Sequence, residues 1–336
     1  MSTKLINIEN IRNASNKLAD VVIKSPLEKN LKLNTNFSSN IYLKREDLQQ
    51  VRSFKIRGAL NKILSLSDSE SSKGIVCASA GNHAQGFAFA CKMLNIDGNV
   101  FMPIHTTKQK IQQVEKFGGD KIKIKLVGDN FGQAYTEALS FCKKNAKIFI
   151  HPFDDLKVIE GQATVFLEII DQANFDIDYI FIPIGGGGLI SGAINVFKQL
   201  SPKTKIIGIE PLGAPAMRTS INNNKNTTLE LIDGFVDGAA VKRVGEISFN
   251  LCNKYLDDLI LIHEGEICQS ILDLERYHSI VAEPAGAMST AALNTYSKKI
   301  INKNVICIIC GGNNDTDRMP EVERRAIEWN ENFYLK

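Results

Sequence analysis

One lysine stands where a polar loop gives way to a helical pattern, a place where a side chain could do chemistry. Lys55 lies in the segment KREDLQQVRSFKIRG, residues 44–58, and the helical pattern begins near Ile56. A lysine held in a pocket can lose its proton and form a Schiff base with an aldehyde. A solvated lysine on a helix surface is the ordinary alternative, and this segment alone does not decide between them.

A small polar turn follows the predicted strand that ends near Ala78. The turn reads SAGNHAQG, residues 79–86, and leads directly into a helical pattern. The first N–H groups of a helix lack intrahelical partners, so this turn could bind an anion such as a carboxylate. A helix start that is merely capped is an equal alternative.

Four consecutive glycines, residues 185–188, follow another predicted strand. They let the backbone approach a ligand, and the helix that follows favours a phosphate at its first turn. The dinucleotide-binding pattern GxGxxG fails, because its third glycine would fall on Ile190 or Ser191. Glu210, near the end of a later strand, matches the acid of that pattern and keeps a nicotinamide oxidoreductase as an alternative.

A fourth loop, CGGNND at residues 310–315, again follows an apolar strand directly. Ligands of open α/β sheets bind beyond the carboxyl ends of the strands. We therefore expect this loop to face the same ligand as the others.

Short apolar runs and helical patterns alternate along the chain, and several runs are apolar on both alternating sets of positions. Such strands are typical of a parallel sheet covered by helices, so the pattern predicts an open, doubly wound α/β protein. The predicted strands are Asn40–Leu43, Gly74–Ala78, Asn99–Met102, Ile122–Val127, Tyr179–Ile184, Lys205–Ile209, Asp258–Ile262 and Asn304–Ile309. The predicted helices include Asn82–Leu94, Thr107–Phe117, Phe131–Lys144, Gly188–Gln199 and Pro284–Tyr296. Residues 66–73 and 222–228 are expected to be exposed.

Composition is that of a globular protein and excludes several partners. The 40 Lys and Arg residues nearly balance the 37 Asp and Glu residues, which argues against nucleic acid as a partner. The seven cysteines include no pair of CxxC motifs, so we predict free thiols in a reducing cytoplasm and no metal site. Neither a secretory signal nor a run of about twenty apolar residues occurs, so no membrane association is expected.

These segments together resemble the threonine ammonia-lyases (threonine dehydratases) of the fold-type II pyridoxal-phosphate enzymes. The similarity extends from Ser25 to about Glu328. The motifs that carry it are SPLEKN, YLKREDLQ, RSFKIRGA, SAGNHAQG, HPFDD, the Gly161-Gln162 pair, GGGGLISG, DGAAV, AEPAGA and GGNND.

The resemblance implies a role for each matching residue. Lys55 would be the Schiff-base lysine and the catalytic base that takes the Cα proton. Pyridoxal phosphate would be held by Phe54 beside its ring, Asn82 at its 3-hydroxyl, Gly185, Gly186, Gly187 and Gly188 at its phosphate, Glu283 near the ring, and Cys310 at the pyridine nitrogen. The carboxylate of the amino-acid substrate would lie against Ser79, Ala80, Gly81, Asn82 and His83.

The family also implies an architecture and a reaction. We expect two open, twisted, mostly parallel sheets flanked by helices, as in tryptophan synthase β. Residues 1–73 and 151–336 would form the large cofactor-binding domain, and residues 74–150 a small inserted domain. The reaction would convert L-threonine to 2-oxobutanoate and ammonia, the first step towards isoleucine, and L-serine to pyruvate. A homodimer or homotetramer is typical of the family.

Three details bear on relatives with other activities. Related serine racemases have a second serine where this chain has Ala80, so racemase activity should be weak. Those racemases also bind a divalent cation through positions matching Glu210, Ala214 and an acid at 216, where this chain has alanine. Cys310 replaces a commoner serine, and a thiol should still partner an unprotonated ring nitrogen.

The last segment resembles the biosynthetic branch of the family, which often continues into an amino-acid-sensing domain. The sequence ends at Lys336, soon after Glu328. We expect either a short form or a piece of a longer protein, and in both cases isoleucine inhibition through that domain should be missing. An L-serine ammonia-lyase or racemase-like enzyme, and a ligand sensor that lacks turnover, are the remaining alternatives.

Overall fold

The computed structural model describes residues 4–334, and side chains up to residue 331. Its strands are β1 Leu27–Lys29, β2 Asn40–Arg45, β3 Ile75–Ala78, β4 Gly98–Met102, β5 Ile122–Leu126, β6 Ile148–Phe149, β7 Tyr179–Pro183, β8 Lys205–Pro211, β9 Asp258–Ile262 and β10 Asn304–Ile309. Its α-helices are α1 Ile8–Leu18, α2 Leu31–Phe37, α3 Lys55–Leu64, α4 Asp68–Ser71, α5 Asn82–Leu94, α6 Lys108–Gly118, α7 Phe131–Asn145, α8 Leu156–Gln172, α9 Gly188–Leu200, α10 Ala216–Asn222, α11 Glu246–Tyr255, α12 Glu264–His278, α13 Pro284–Tyr296 and α14 Met319–Tyr334.

Two sheets organise the chain, as the predicted fold class requires. The larger sheet has the order β1-β2-β10-β7-β8-β9, with β1 antiparallel to β2 and all other pairs parallel. The smaller sheet has the order β5-β4-β3-β6 and is entirely parallel. Central strands such as β10 and β3 are buried on both faces, which explains their runs of Ile and Val.

Every strand of the smaller sheet lies between residues 75 and 149. The sequence predicts an inserted domain at residues 74–150, and we propose that this sheet is its core. Its helices α5, α6 and α7 come from the same stretch of chain.

Four elements were predicted to the residue, whereas several helices were not named, among them the long helices α8 and α12. Helices α5 and α13 and strands β9 and β10 have the predicted bounds. Helix α8 was not predicted; all its residues from 158 to 169 are buried, including Glu160, Gln162 and Glu168, whose types are usually exposed. The loop expected to be exposed at residues 222–228 contains one buried side chain, Asn226, which donates to the carbonyl of Val244 at 3.1 Å.

The packing of α3 against α8 fixes where Lys55 begins its helix. A Cβ on Gly161 would lie only 2.4 Å from the carbonyl oxygen of Arg57, so the two helices touch backbone to backbone. The Gln162 side chain accepts a hydrogen bond from the N–H of Gly58 at 3.2 Å. Among residues 4–334, no helix is both long and apolar enough to cross a bilayer.

Candidate active site

The loops that follow β3, β7 and β10 converge on one cavity of about 230 Å³, between the two sheets. A smaller cavity bounded by the glycine turn adjoins it and shares Lys55, Phe54 and Cys310 among its walls. Every residue for which the sequence predicts a catalytic, cofactor or substrate role lines one of these two cavities. The loops meet there because the carboxyl ends of parallel strands lie at one edge of a sheet.

Lys55 begins helix α3, and Phe54 is the residue that precedes the first turn. The N–H of Phe54 donates to the carbonyl of Cys310 at 3.2 Å, which ties this turn to the end of β10. The Nζ of Lys55 donates to the carbonyl of Pro152 at 3.0 Å. Burial lowers the pKa of Lys55 to about 8, although Cys310 and Glu283 oppose the shift. An amine with this pKa can exchange a proton near neutral pH.

The glycine turn has no room for side chains. A Cβ on Gly186 would lie 2.2 Å from the ring of Phe153, and one on Gly187 would lie 2.5 Å from the Cβ of Ser248. Gly187 also has φ of +92°, a conformation that favours glycine. Helix α9 begins directly after it with no side-chain cap, so its first N–H groups face the small cavity without a protein partner.

The turn at residues 79–82 presents a second uncapped helix start. The hydroxyl of Ser79 accepts from the N–H of Gly81 at 3.2 Å, which orders the turn, and no side chain caps helix α5. The first N–H groups of α5 are therefore available to an anion. The start of α9 faces the small cavity and the start of α5 faces the larger one, and Lys55 lines both. A ligand with a phosphate at one end and a carboxylate at the other could contact both helix starts and Lys55.

The ring of His83 lies beneath this turn and cannot donate to an anion from both nitrogens. Its Nε2 lies 3.1 Å from the carbonyl of Ile150, which assigns the proton to Nε2. The Nδ1 atom is buried without a protein partner. Burial, followed by the charge of Lys55, lowers the pKa of His83 to about 3, so the ring stays neutral. Any contribution of His83 to carboxylate binding therefore comes from its backbone N–H.

Asn82 and Glu283 come together across 201 residues of sequence. The Nδ2 of Asn82 donates to Glu283 at 2.6 Å, and its Oδ1 accepts from Asn313 at 2.7 Å. Burial and the nearby charge of Asp237 raise the pKa of Glu283 to about 7. Burial also raises the pKa of the Cys310 thiol well above its ordinary value, so Cys310 presents a neutral S–H to the cavity.

The sequence motifs HPFDD and DGAAV supply wall residues to which no role had been assigned. His151 accepts from the N–H groups of Phe153 and Asp154 at 3.2 and 2.8 Å, which shapes the turn that carries Pro152. All five residues of DGAAV line one of the two cavities, and Lys110 on α6 and Phe131 on α7 line the larger one. Membership in a motif was the only signal for the HPFDD and DGAAV residues, and Lys110 and Phe131 had no signal in the sequence.

Glu210 is the one highlighted acid that lies away from both cavities. Its carboxylate accepts from the N–H groups of Met217 and Arg218 at 2.6 and 2.8 Å, so both oxygens are used at the start of α10. This arrangement removes the observation that kept a nicotinamide enzyme as an alternative. The described residues contain no group of three or more His, Cys, Asp or Glu side chains that could hold a metal ion.

Comparison with known proteins identifies the class of this site. The family model for pyridoxal-phosphate dependent enzymes matches residues 18–311, and the chain belongs to that family. The chain is 51% identical over 322 residues to the biosynthetic L-threonine dehydratase IlvA of Halalkalibacterium halodurans, covering 96% of this chain and 78% of that protein. The corresponding Bacillus subtilis enzyme is 48% identical over 323 residues, covering 96% of this chain and 76% of that protein.

Solved structures of related enzymes superpose on nearly the whole chain. The processed form of threonine deaminase isoform 2 from Solanum lycopersicum superposes with a TM-score of 0.89 at 39% identity, covering 97% of this chain and 98% of that one. Maize serine racemase superposes with a TM-score of 0.88 at 28% identity, covering 98% and 100% of the two chains.

The residues present fit pyridoxal phosphate. The cofactor needs an amine, a phosphate cradle and a partner for its ring nitrogen. Lys55 would hold it through Nζ, the side-chain-free turn at residues 185–188 would take its phosphate, and the neutral Cys310 thiol would meet its ring nitrogen. Gly186 and Gly187 line the small cavity and have no room for a side chain, so their backbone can approach a ligand there.

Proposed function

We propose that this protein is a threonine ammonia-lyase, which converts L-threonine to 2-oxobutanoate and ammonia. A buried amine that shares its cavity with two uncapped helix starts carries the proposal, because this set of groups binds an amino acid and a phosphorylated aldehyde together. The relatives of nearly 50% identity, named L-threonine dehydratases, support threonine as the substrate. The reaction is the first step towards isoleucine.

Bound pyridoxal phosphate supplies electron withdrawal that makes the Cα proton of an attached amino acid acidic. The protein residues then divide the work. The N–H groups at the start of α5 hold the substrate carboxylate, and Lys55 Nζ takes the Cα proton. Loss of the β-hydroxyl as water and hydrolysis of the resulting enamine give one 2-oxobutanoate and one ammonia per threonine.

Neutral partners around the site favour elimination. A carboxylate would stabilise a positive charge on the ring nitrogen of the cofactor, whereas the protonated thiol of Cys310 cannot. The negative charge left when Cα loses its proton would therefore stay close to Cα. Ala80 has no group that could return a proton from the opposite face. Both features direct the reaction towards loss of the β-hydroxyl. L-Serine lacks only the methyl group of threonine, and we expect it to give pyruvate.

The first test is an absorbance spectrum of purified protein, with 2-oxobutanoate assayed after threonine is added. A visible absorbance band that changes with threonine, together with the ketoacid, is the expected result. Lys55→Ala should lose both, whereas the control Lys62→Ala, on the same helix but paired with Asp155 outside the cavity, should keep them. A colourless protein that cannot be reconstituted would indicate the ligand sensor instead.

The remaining family expectations also belong to this proposal. We propose the large domain at residues 1–73 and 151–336, a homodimer or homotetramer, and a cytoplasmic location. Seven unpaired buried cysteines suit a reducing compartment. Leu31, Leu231 and Val281 are 74%, 88% and 58% exposed, and they are candidates for subunit contacts. Sedimentation equilibrium would give the subunit number.

A further inference from the structure

One ion pair crosses the mouth of the active-site cavity. Lys110 on α6 and Asp237 in the DGAAV loop are hydrogen-bonded through Nζ and Oδ2, although 127 residues separate them. Both residues line the same cavity as Lys55. The neighbouring Gln109 donates to the carbonyl of Asn314 at 3.3 Å, so α6 rests on two loops of the larger sheet.

Both apolar and charged side chains share the cavity wall with this pair. Phe131, Ala240 and Val241 line the cavity together with the pair. Asp237 also lies 3.8 Å from Arg318, whereas no further acid is paired with Lys110 among the described residues. Asp237 is therefore the direct ion-pair partner of Lys110, and Glu283 acts on Lys110 without a direct contact.

The charges of the Lys110–Asp237 pair act on a buried carboxyl group of the cavity, Glu283. Both Asp237 and Lys110 act on the pKa of Glu283, with opposite signs. Their side chains are 38% and 24% exposed, so solvent weakens the pair without removing its influence.

We infer that Asp237 determines specificity by neutralising Lys110, so that the cavity accepts an uncharged substrate side chain and rejects one with a carboxylate on Cβ. This inference rests on the proposed function of the same site. A substrate such as 3-hydroxyaspartate carries a carboxylate where threonine has a methyl group. In the native protein, that carboxylate would have to displace Asp237 from Lys110; without Asp237, it would meet an unpaired cation.

The test uses succinate and 3-hydroxyaspartate with the cofactor-loaded protein and three variants: Asp237→Asn, Lys110→Met and the double variant. Succinate binding is measured by the rise in melting temperature, which does not depend on turnover. A partly exposed ion pair contributes about 1 kcal/mol. Succinate should therefore bind about fivefold more tightly to Asp237→Asn than to the native protein. The ratio of kcat/KM for 3-hydroxyaspartate to that for threonine should rise by a similar factor.

The other two variants distinguish two causes of a gain in succinate binding: a free positive charge on Lys110, or simply the loss of the contact between Lys110 and Asp237. Lys110→Met and the double variant also break the contact, but neither has an ammonium group at position 110, and Arg318 keeps Glu321 in both, so neither should gain succinate binding. Unchanged succinate binding in Asp237→Asn, or an equal gain in Lys110→Met, would overturn the inference. Asp237→Ser must reproduce the gain, which guards against a folding defect in one variant. Native protein that ignores threonine would refute the proposed function, while the succinate comparison would still decide this inference.

Discussion

Replacement of Arg57 by methionine should destabilise the protein more than any change at an exposed arginine. Arg57 is 1% exposed, and it donates six hydrogen bonds to Glu46, Glu168, Thr164 and the carbonyl of Ile23. The two carboxylates receive it in forked geometry at 2.6–3.0 Å. Methionine keeps much of the length and removes the charge.

The expected loss of free energy of unfolding follows from the two carboxylates that stay buried when Arg57 is removed. Glu46 is fully buried and would keep only the Ser25 hydroxyl, at 2.6 Å, among its direct partners. Glu168 would keep Lys44, which lies 2.7 Å away. Removal of one partner from a buried charge network typically costs about 3–5 kcal/mol. Since Glu46 loses both strong contacts, we expect a value in that range for Arg57→Met.

Urea denaturation followed by circular dichroism measures this free energy of unfolding. Arg12→Met is the matched control, because Arg12 is 53% exposed and its ion-pair partner within residues 4–331 is Glu9 on the same helix. It should change stability by less than about 0.5 kcal/mol. The network would be energetically unimportant if both variants unfolded at the same urea concentration.

Arg57→Met should also change how the stability of the protein depends on acidic pH, and should change cofactor affinity. Burial alone would raise the pKa of Glu46, yet Arg57 and Lys44 hold it below its ordinary value. A lowered carboxyl pKa gives stability that is present above the unfolded pKa and is lost as pH falls through the folded one. Arg57→Met should lose less stability on acidification than the native protein. Because Arg57 follows Lys55 by two residues on α3, cofactor affinity should fall as well.

Three further predictions concern single positions. Glu210→Gln should flatten the dependence of stability on pH, because burial raises the pKa of Glu210 to about 7. The contribution of Glu210 to native stability is full below its unfolded pKa and falls as pH rises towards 7, by on the order of 3 kcal/mol. Equal slopes for both proteins in urea titrations at several pH values would contradict this. Gly187→Ala should weaken cofactor binding at least tenfold in spectroscopic titrations, because φ is +92° and Ser248 lies 2.5 Å from the added Cβ; Gly234→Ala, with open space at its Cβ, is the control. Ala80→Ser should raise D-serine formation from L-serine, measured by chiral chromatography, and an unchanged rate would show that the hydroxyl alone does not supply an opposite-face base.

The sequence by itself determined the local structure wherever periodicity and turn residues agreed. The alternation of apolar runs with helical patterns gave the α/β class, and β10 and α5 have the bounds predicted for them. The motifs also identified the cavity walls. The loops at residues 79–86, 185–188 and 310–315 each directly follow a predicted strand, and parallel strands bring such loops to one edge. The roles of the individual residues in binding and catalysis stay predictions.

The tertiary structure alone decided which side chains meet. Arg57 pairs with Glu168 across 111 residues, Asn82 with Glu283 across 201, and Lys110 with Asp237 across 127. The packing of distant segments sets these pairs, as where α3 and α8 touch backbone to backbone. Strand order is equally non-local, since β10 lies between β2 and β7 although it is the last strand in the chain. The same limit applies to a charged residue of helix α8. Its buried Glu168 reads as a solvated residue until Arg57 and Lys44 are placed against it, because periodicity reports burial of apolar groups and carries no information about distant charged partners.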